Sequence, residues 1–217
     1  MNICIDDLTQ KILSEASCSI LFFEKLIDFI TTLKPPYPYR DLGHLNNSKN
    51  IKFLNSKLSE FLEKHGIDQD SKTYFIFDNI RHAFIKYCSG GVLAIYKGRE
   101  ADVWYPKIII RSNIGDRKDI EQLNSKVTIY RGASKYEYDS KEFGQSWTLD
   151  SDIAKKFAFE HYEGQVGYSD TVRVILKTTI DKANIYYYQK EDREKEVIIN
   201  TNKLLFSTID ILNEAIL

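Results

Sequence analysis

The spacing of apolar residues changes partway along the chain, and that change limits the folds open to it. In the first ninety residues Ile51, Leu54, Leu58, Phe61 and Leu62 recur at three- and four-residue steps, as do Ile76, Ile80, Phe84 and Tyr87. Such steps set each group along one face of an α-helix, so these stripes predict core faces. Lys34-Pro35-Pro36-Tyr37-Pro38-Tyr39 cannot continue a helix, because proline lacks the amide donor and restricts the residue before it; a loop between helices is expected there. Gly90-Gly91 predicts a break, after which the chain reads as β-rich. Val92 to Tyr96, Lys107 to Arg111, Val127 to Arg131, Val172 to Lys177, Asn184 to Tyr188, Glu196 to Asn200 and Leu204 to Ile211 are strand candidates. A short helix is expected near Asp150, capped by that residue or by Ser151, with Ile153, Ala154, Phe157 and Ala158 on its apolar face. Mostly strands with one helix predicts an α/β chain of the α+β kind, two packed sheets with the N-terminal helices against one of them.

At 217 residues, 43% hydrophobic and 13% aromatic, the chain can bury a core as one compact domain over residues 1–217. Residues 1–115 would be its mainly helical part and 120–217 its β-rich core. A formal charge of -1 excludes a global field that gathers nucleic acid or anionic membrane, so any such contact must be local. Cys4, Cys18 and Cys88 stand far apart, and His44, His65, His82 and His161 lack metal-ligand spacing, so neither disulfides nor a metal is expected. The opening Met1-Asn2-Ile3-Cys4-Ile5-Asp6-Asp7 is acidic where a secretory signal is basic. The apolar run from Ile20 to Ile30 is interrupted by Glu24, Lys25 and Asp28, too charged for a membrane span. A cytoplasmic protein without a membrane partner is the expectation, with leaderless export left open.

Three short segments carry the chemistry. Val127-Thr128-Ile129-Tyr130-Arg131-Gly132 is an apolar strand that ends in a permanent cation and a glycine open to close backbone approach. In Gly144-Gln145-Ser146-Trp147-Thr148 the period of two puts both hydroxyls on one side of a strand. In Glu191-Asp192-Arg193-Glu194-Lys195-Glu196-Val197 two carboxylates lead directly into an apolar run. If the strand begins by Glu194, both project from one face, roughly 7 Å apart at about 3.3 Å per residue. Such a pair repels itself unless a cationic ligand sits between them.

Taken in order, the segments resemble the arginine-serine-glutamate class of ADP-ribosyltransferases, of the bacterial or phage-related toxin type. That family has an aromatic-arginine strand end, a Ser-x-Ser/Thr strand followed by a short helix, and a Glu-x-Glu pair opening a later strand. Tyr130-Arg131-Gly132, Ser146-Trp147-Thr148 and Glu194-Lys195-Glu196 supply the three, so the resemblance covers about residues 125–212. It implies a split β-sandwich, with NAD as co-substrate and no metal. Breaking the nicotinamide–ribose bond creates an oxocarbenium-like centre, which a fixed carboxylate stabilises. The family position of that carboxylate is Glu196. Ser146 is then expected to hydrogen-bond Glu196, with Thr148 as a second support, while Arg131 faces the phosphates of NAD and braces the site. The Gly132 backbone would read the nicotinamide amide, and Trp147 or Phe157 would wall the ring.

The resemblance also assigns an acceptor side to Tyr188, Gln189 and Glu194. A glutamate at the first position of the pair goes with transfer to a protein arginine. Tyr186, Tyr187 and Tyr188 point instead to an RNA or DNA base, if they form a stacking platform. The stretch from Glu160 to Asp170, with Gly164 and Gly167, is expected to close over NAD. A small chain of this kind is similar to the toxins of toxin–antitoxin and anti-phage systems, which implies an antitoxin partner. Water as acceptor would make it an NAD glycohydrolase, and an inactive NAD-binding or interaction module is the alternative of another class.

Overall fold

The computed structural model describes residues 3–4, 20–32, 44–97, 107–114, 116–161 and 171–216, and the chain divides into two compact units, Met1–Ile109 and Ile110–Leu217. In the first unit β1 (Ile3–Cys4) is followed by helices α1 (Ile20–Thr32), α2 (His44–His65) and α3 (Lys72–Lys97), then by β2 (Lys107–Ile108), which pairs antiparallel with β1. The helical stripes behave as their spacing demands: Leu54, Leu58 and Phe61 of α2 and Ile76 and Ile80 of α3 are buried with Phe23 and Leu26 of α1. Phe29 of α1 stacks on Phe61 with ring centroids 4.9 Å apart, joining α1 to α2 through their aromatic faces. Among the described residues no helix is long and apolar enough to cross a membrane.

One expectation fails here. Val92 to Tyr96 is not a strand, and Gly90-Gly91 does not end the helix; α3 runs through both to Lys97. A short apolar run reads equally as strand or buried helix, and glycine costs a helix only about 1 kcal/mol relative to alanine. A long helix whose other residues pack well absorbs that cost, and Tyr96 near its end is buried. The proline-rich segment Lys34 to Tyr39 lies outside the described residues.

The second unit holds α4 (Lys118–Glu121), β3 (Lys126–Ser134), α5 (Lys135–Ser140), β4 (Ser146–Thr148) and α6 (Ser151–Lys155), which runs on as a π-helical turn over Lys156–Glu160. β5 (Val172–Asp181), β6 (Ile185–Tyr188), β7 (Glu196–Ile199) and β8 (Asp210–Ile216) follow. Its strands form one six-stranded antiparallel sheet in the order β6-β7-β4-β3-β5-β8. The architecture is mixed α+β. The strand expected over Lys107 to Arg111 is reduced to the two residues of β2, and the one expected from Leu204 to Ile211 starts only at Asp210, after a 3-10 turn at Phe206–Thr208.

Alternation sorts the two faces of this sheet. Val127, Ile129 and Ala133 of β3 join Trp147, Val174, Leu176, Ile180, Val197 and Ile199 in the main core. On the other face Tyr130 and Ile175 meet Ala154 and Ala158 of α6 and its π turn. Gly132 explains why that helix can lie so close. A Cβ there would run into the Ala154 carbonyl oxygen and the Ala158 amide nitrogen, and would sit 2.8 Å from the Phe157 carbonyl carbon.

Candidate active site

β4 lies between β3 and β7, and its register with β7 pairs Thr148 with Glu196 and Ser146 with Ile198. Ser146, Thr148 and Glu196 therefore share the sheet face that carries α6. Ser146 Oγ donates to Glu196 Oε1 at 2.5 Å, and Glu196 is only 7% exposed. A carboxylate taken out of water needs such a charge-assisted donor, and the bond also fixes its rotamer. Of the expected contacts, this one is present.

Arg131 sits elsewhere than expected. Its neighbours at two-residue spacing, Ile129 and Ala133, belong to the main core, so alternation puts Arg131 on the face opposite Glu196. Its Nε and Nη2 donate to the two carboxylate oxygens of Glu137 at 2.6 and 3.1 Å, and Nη1 donates to the Ser146 carbonyl at 2.5 Å. The fork expected to hold phosphates is filled by a bidentate carboxylate, and what remains of the expected role is bracing. Glu137 is held in turn: its backbone N–H donates to Ser134 Oγ at 3.1 Å, and its Oε1 accepts from the Gly144 N–H at 2.9 Å. Gly144 lies against the same guanidinium, and a Cβ there would stand 2.5 Å from Arg131 Nη2 and push the fork off its carboxylate.

The Glu194-Lys195-Glu196 segment departs from a simple strand. β7 begins at Glu196, and Lys195 has φ +46°, in the left-handed region that costs a non-glycine residue roughly 1–2 kcal/mol. The two carboxylates are therefore not alternate residues of one strand, and Glu194 is exposed where Glu196 is buried. Thr148 does not support Glu196 either. Its Oγ1 donates to the Glu194 carbonyl at 2.7 Å and accepts from the Asp150 N–H at 3.1 Å, tying the turn to the β4–α6 corner. Lys195 Nζ reaches Asp150 Oδ2 at 2.8 Å, and Asp150 also caps α6 by accepting from the Asp152 N–H at 2.9 Å. The lysine contact first, then the Asp152 amide, holds the Asp150 carboxyl below the usual carboxylate range.

Trp147 cannot wall a ligand ring on the Glu196 side. It is 2% exposed, faces the main core, and its indole Nε1 donates to the Gly144 carbonyl at 3.0 Å. The same alternation that joins Ser146 to Thr148 forces this. Phe157, half-buried in the π turn, is on the α6 side; its carbonyl and that of Ala158 accept from the buried Arg173 guanidinium, each at 3.2 Å. Tyr188 packs against the main core, and burial followed by the nearby Asp119 carboxylate pushes its hydroxyl above the ordinary range. Tyr187 is buried and donates to Gln189 Oε1 at 2.9 Å, whereas Tyr186 and Tyr188 are half-buried. Gln189 and Glu194 are the exposed members of the expected acceptor side. Of the expected closing loop only Glu160 and His161 are among the described residues.

Sequence reasoning missed Glu137, Gly144 and Arg173. Ser134-Lys135-Tyr136-Glu137 is the Ser-x-x-Glu signature of a helix start, which would have placed Glu137 one turn into α5, near the end of β3. Compared with protein-family models, curated proteins and solved structures, the chain has no match in any of the three.

Proposed function

We propose that the chain is a mono-ADP-ribosyltransferase that cleaves NAD at the nicotinamide–ribose bond and passes ADP-ribose to a macromolecule. The observation that carries the reading is the Ser146–Glu196 hydrogen bond, a rigid and nearly buried carboxylate held by a neighbouring strand. Such a group supplies fixed negative charge to an oxocarbenium-like centre without reorganising as the charge develops. The C1′–nitrogen bond breaks, nicotinamide leaves with the bonding pair, and an acceptor nitrogen bonds C1′ and gives up a proton. The split β-sandwich that goes with this reading would divide at Tyr130↔Thr148, where β3 and β4 share a single ladder pair. Arg131 and Glu137 then brace β4 from behind, and Gly132, Thr148 and Phe157 line the α6 side.

A division of labour between the two glutamates favours protein arginine as acceptor. Glu196 is too buried to meet a macromolecule, whereas exposed Glu194 can pair with a guanidinium. For the base alternative, buried Tyr187 is withdrawn from stacking, and half-buried Tyr186 and Tyr188 are what such a platform would use. By analogy with small chains of this kind, the protein is an intracellular toxin held by an antitoxin, in a toxin–antitoxin or anti-phage system. The test is incubation with labelled NAD and a cell lysate, treated in parallel with protease and with nuclease, while released nicotinamide is measured. Protease-sensitive label is expected, and Glu196→Gln should lower nicotinamide release by at least about a hundredfold. Nuclease-sensitive label would replace arginine by a base. Free ADP-ribose equal to all the nicotinamide formed would mean a glycohydrolase, and a Glu196→Gln variant as active as wild type would end the reading.

A further inference from the structure

The turn that carries Glu194 is gripped by three consecutive residues of the β4–α6 corner. Thr148 Oγ1 donates to the Glu194 carbonyl at 2.7 Å, the Leu149 N–H donates to the Lys195 carbonyl at 3.1 Å, and Lys195 Nζ donates to Asp150 Oδ2 at 2.8 Å. From within the turn, Asp192 accepts the Glu194 N–H on Oδ1 at 3.1 Å and the Lys195 N–H on its carbonyl at 3.0 Å. Lys195 is thus fastened through N–H, carbonyl and ammonium at once, which holds it at a φ of +46° that lysine rarely adopts. Glu196, on the other side of Lys195, is held independently by its ladder pair with Thr148 and by the Ser146 hydroxyl. The residue whose placement depends on that fastening is Glu194, one peptide unit from Lys195 and exposed.

We propose that Asp150 and Lys195 are positioning residues for the acceptor: by locking the turn, their ion pair holds the Glu194 carboxylate beside the Ser146–Glu196 site and so sets how ADP-ribose divides between a macromolecule and water. The inference rests on the transferase reading. After the C1′–nitrogen bond opens, either the acceptor nitrogen or a water oxygen forms the new bond to C1′ and releases a proton. A macromolecular nitrogen must be oriented to compete, whereas water needs no such placement. A turn free to swing would therefore shift product from transferred to free ADP-ribose.

The experiment reads labelled acceptor against total nicotinamide released in wild type, Asp150→Asn, Lys195→Ala, the double variant, Lys195→Arg and Lys195→Gly. Asparagine keeps the helix cap and removes only the charge. Each of the two single changes should lower the transfer-to-nicotinamide ratio by about three- to fivefold, the scale that an exposed ion pair sets. Nicotinamide release should fall less. The double variant should be no worse than either single, Lys195→Arg should keep the ratio, and Lys195→Gly should lose it even though glycine relieves the backbone. An unchanged ratio in both singles overturns the proposal. So does a loss confined to Lys195→Ala, which would mean that the lysine touches the acceptor itself, or losses that multiply in the double. A wild type that releases no nicotinamide fells the transferase reading instead, a result distinguishable from all of these.

Discussion

The two sides of β3 differ sharply. Towards β5 it forms a ladder of nine pairs, from Lys126↔Asp181 to Ser134↔Arg173, while towards β4 it shares only Tyr130↔Thr148. The long side supplies core residues such as Val127, Ile129, Val174 and Leu176. The short side carries Ser146, Thr148 and, one strand further, Glu196. The backbone of β4 is paired along all three of its residues on the β7 side, so the sparse seam is the one with β3, and across it the strand that holds the serine is fixed mainly by side chains. Arg131 reaches its carbonyl from β3, Trp147 anchors it in the core, and Ser146 ties it to Glu196.

Substitutions in β4 and in the side chains that brace it should separate stability from chemistry. The largest effect is expected from Trp147→Ala, which empties a fully packed site and should cost about 3–5 kcal/mol in denaturant unfolding. A loss below about 1 kcal/mol would show that β4 is not anchored through its core face. Arg131→Lys and Glu137→Gln come next, each expected to cost about 1–3 kcal/mol because each leaves a partly buried charge without its fork. They should weaken NAD binding to the same extent. A loss of NAD affinity in Arg131→Lys alone would return that residue to the phosphates. Ser146→Ala should cost about 1–3 kcal/mol, since it strips the buried Glu196 carboxylate of its hydroxyl donor, and should reduce nicotinamide release by about tenfold, less than Glu196→Gln, because it loosens a carboxylate without deleting it. Equal losses would make the serine itself a reacting group.

The smallest effect concerns pH. The folded Asp150 carboxyl is held below its usual range by Lys195 and by the Asp152 amide, so its contribution is present above the ordinary aspartate range and lost as pH falls through the lowered value. Lys195 is shifted upward by the same contact, so its contribution is lost only at strongly alkaline pH. Amide exchange over residues 192–196 should therefore be faster in Asp150→Asn than in wild type at neutral pH. That difference should vanish in acid. A difference that persists below the aspartate range would assign the effect to the helix cap and not to the ion pair.

Much of this arrangement could be read from the sequence, and the failures have identifiable causes. The apolar, β-branched runs around Ile129, Val174 and Val197 are legible as β3, β5 and β7, because such side chains fit a pleated and buried surface. Trp147 is misplaced as a ring wall although the same alternation decides against it, since Ser146 and Thr148 on one face leave it no place but the other. Glu194 was not legible, because only three-dimensional context holds a lysine at positive φ and so takes Glu194 out of the strand. The bidentate partner of Arg131 was half legible in Ser134-x-x-Glu137, but that signature predicts a carboxylate turned back to its own helix start, and here it faces the arginine of the preceding strand.

Gly132 has an effect at a distance. Because it brings no Cβ, only a backbone's thickness separates β3 from α6 and the π turn, and that separation sets the height at which the helix rides above the sheet. Asp150 stands at the start of that helix and meets Lys195 from there. A methyl group at position 132 would act as a wedge under the helix. Its displacement would reach Asp150, one turn before Ala154, and through the Asp150–Lys195 contact the turn that bears Glu194.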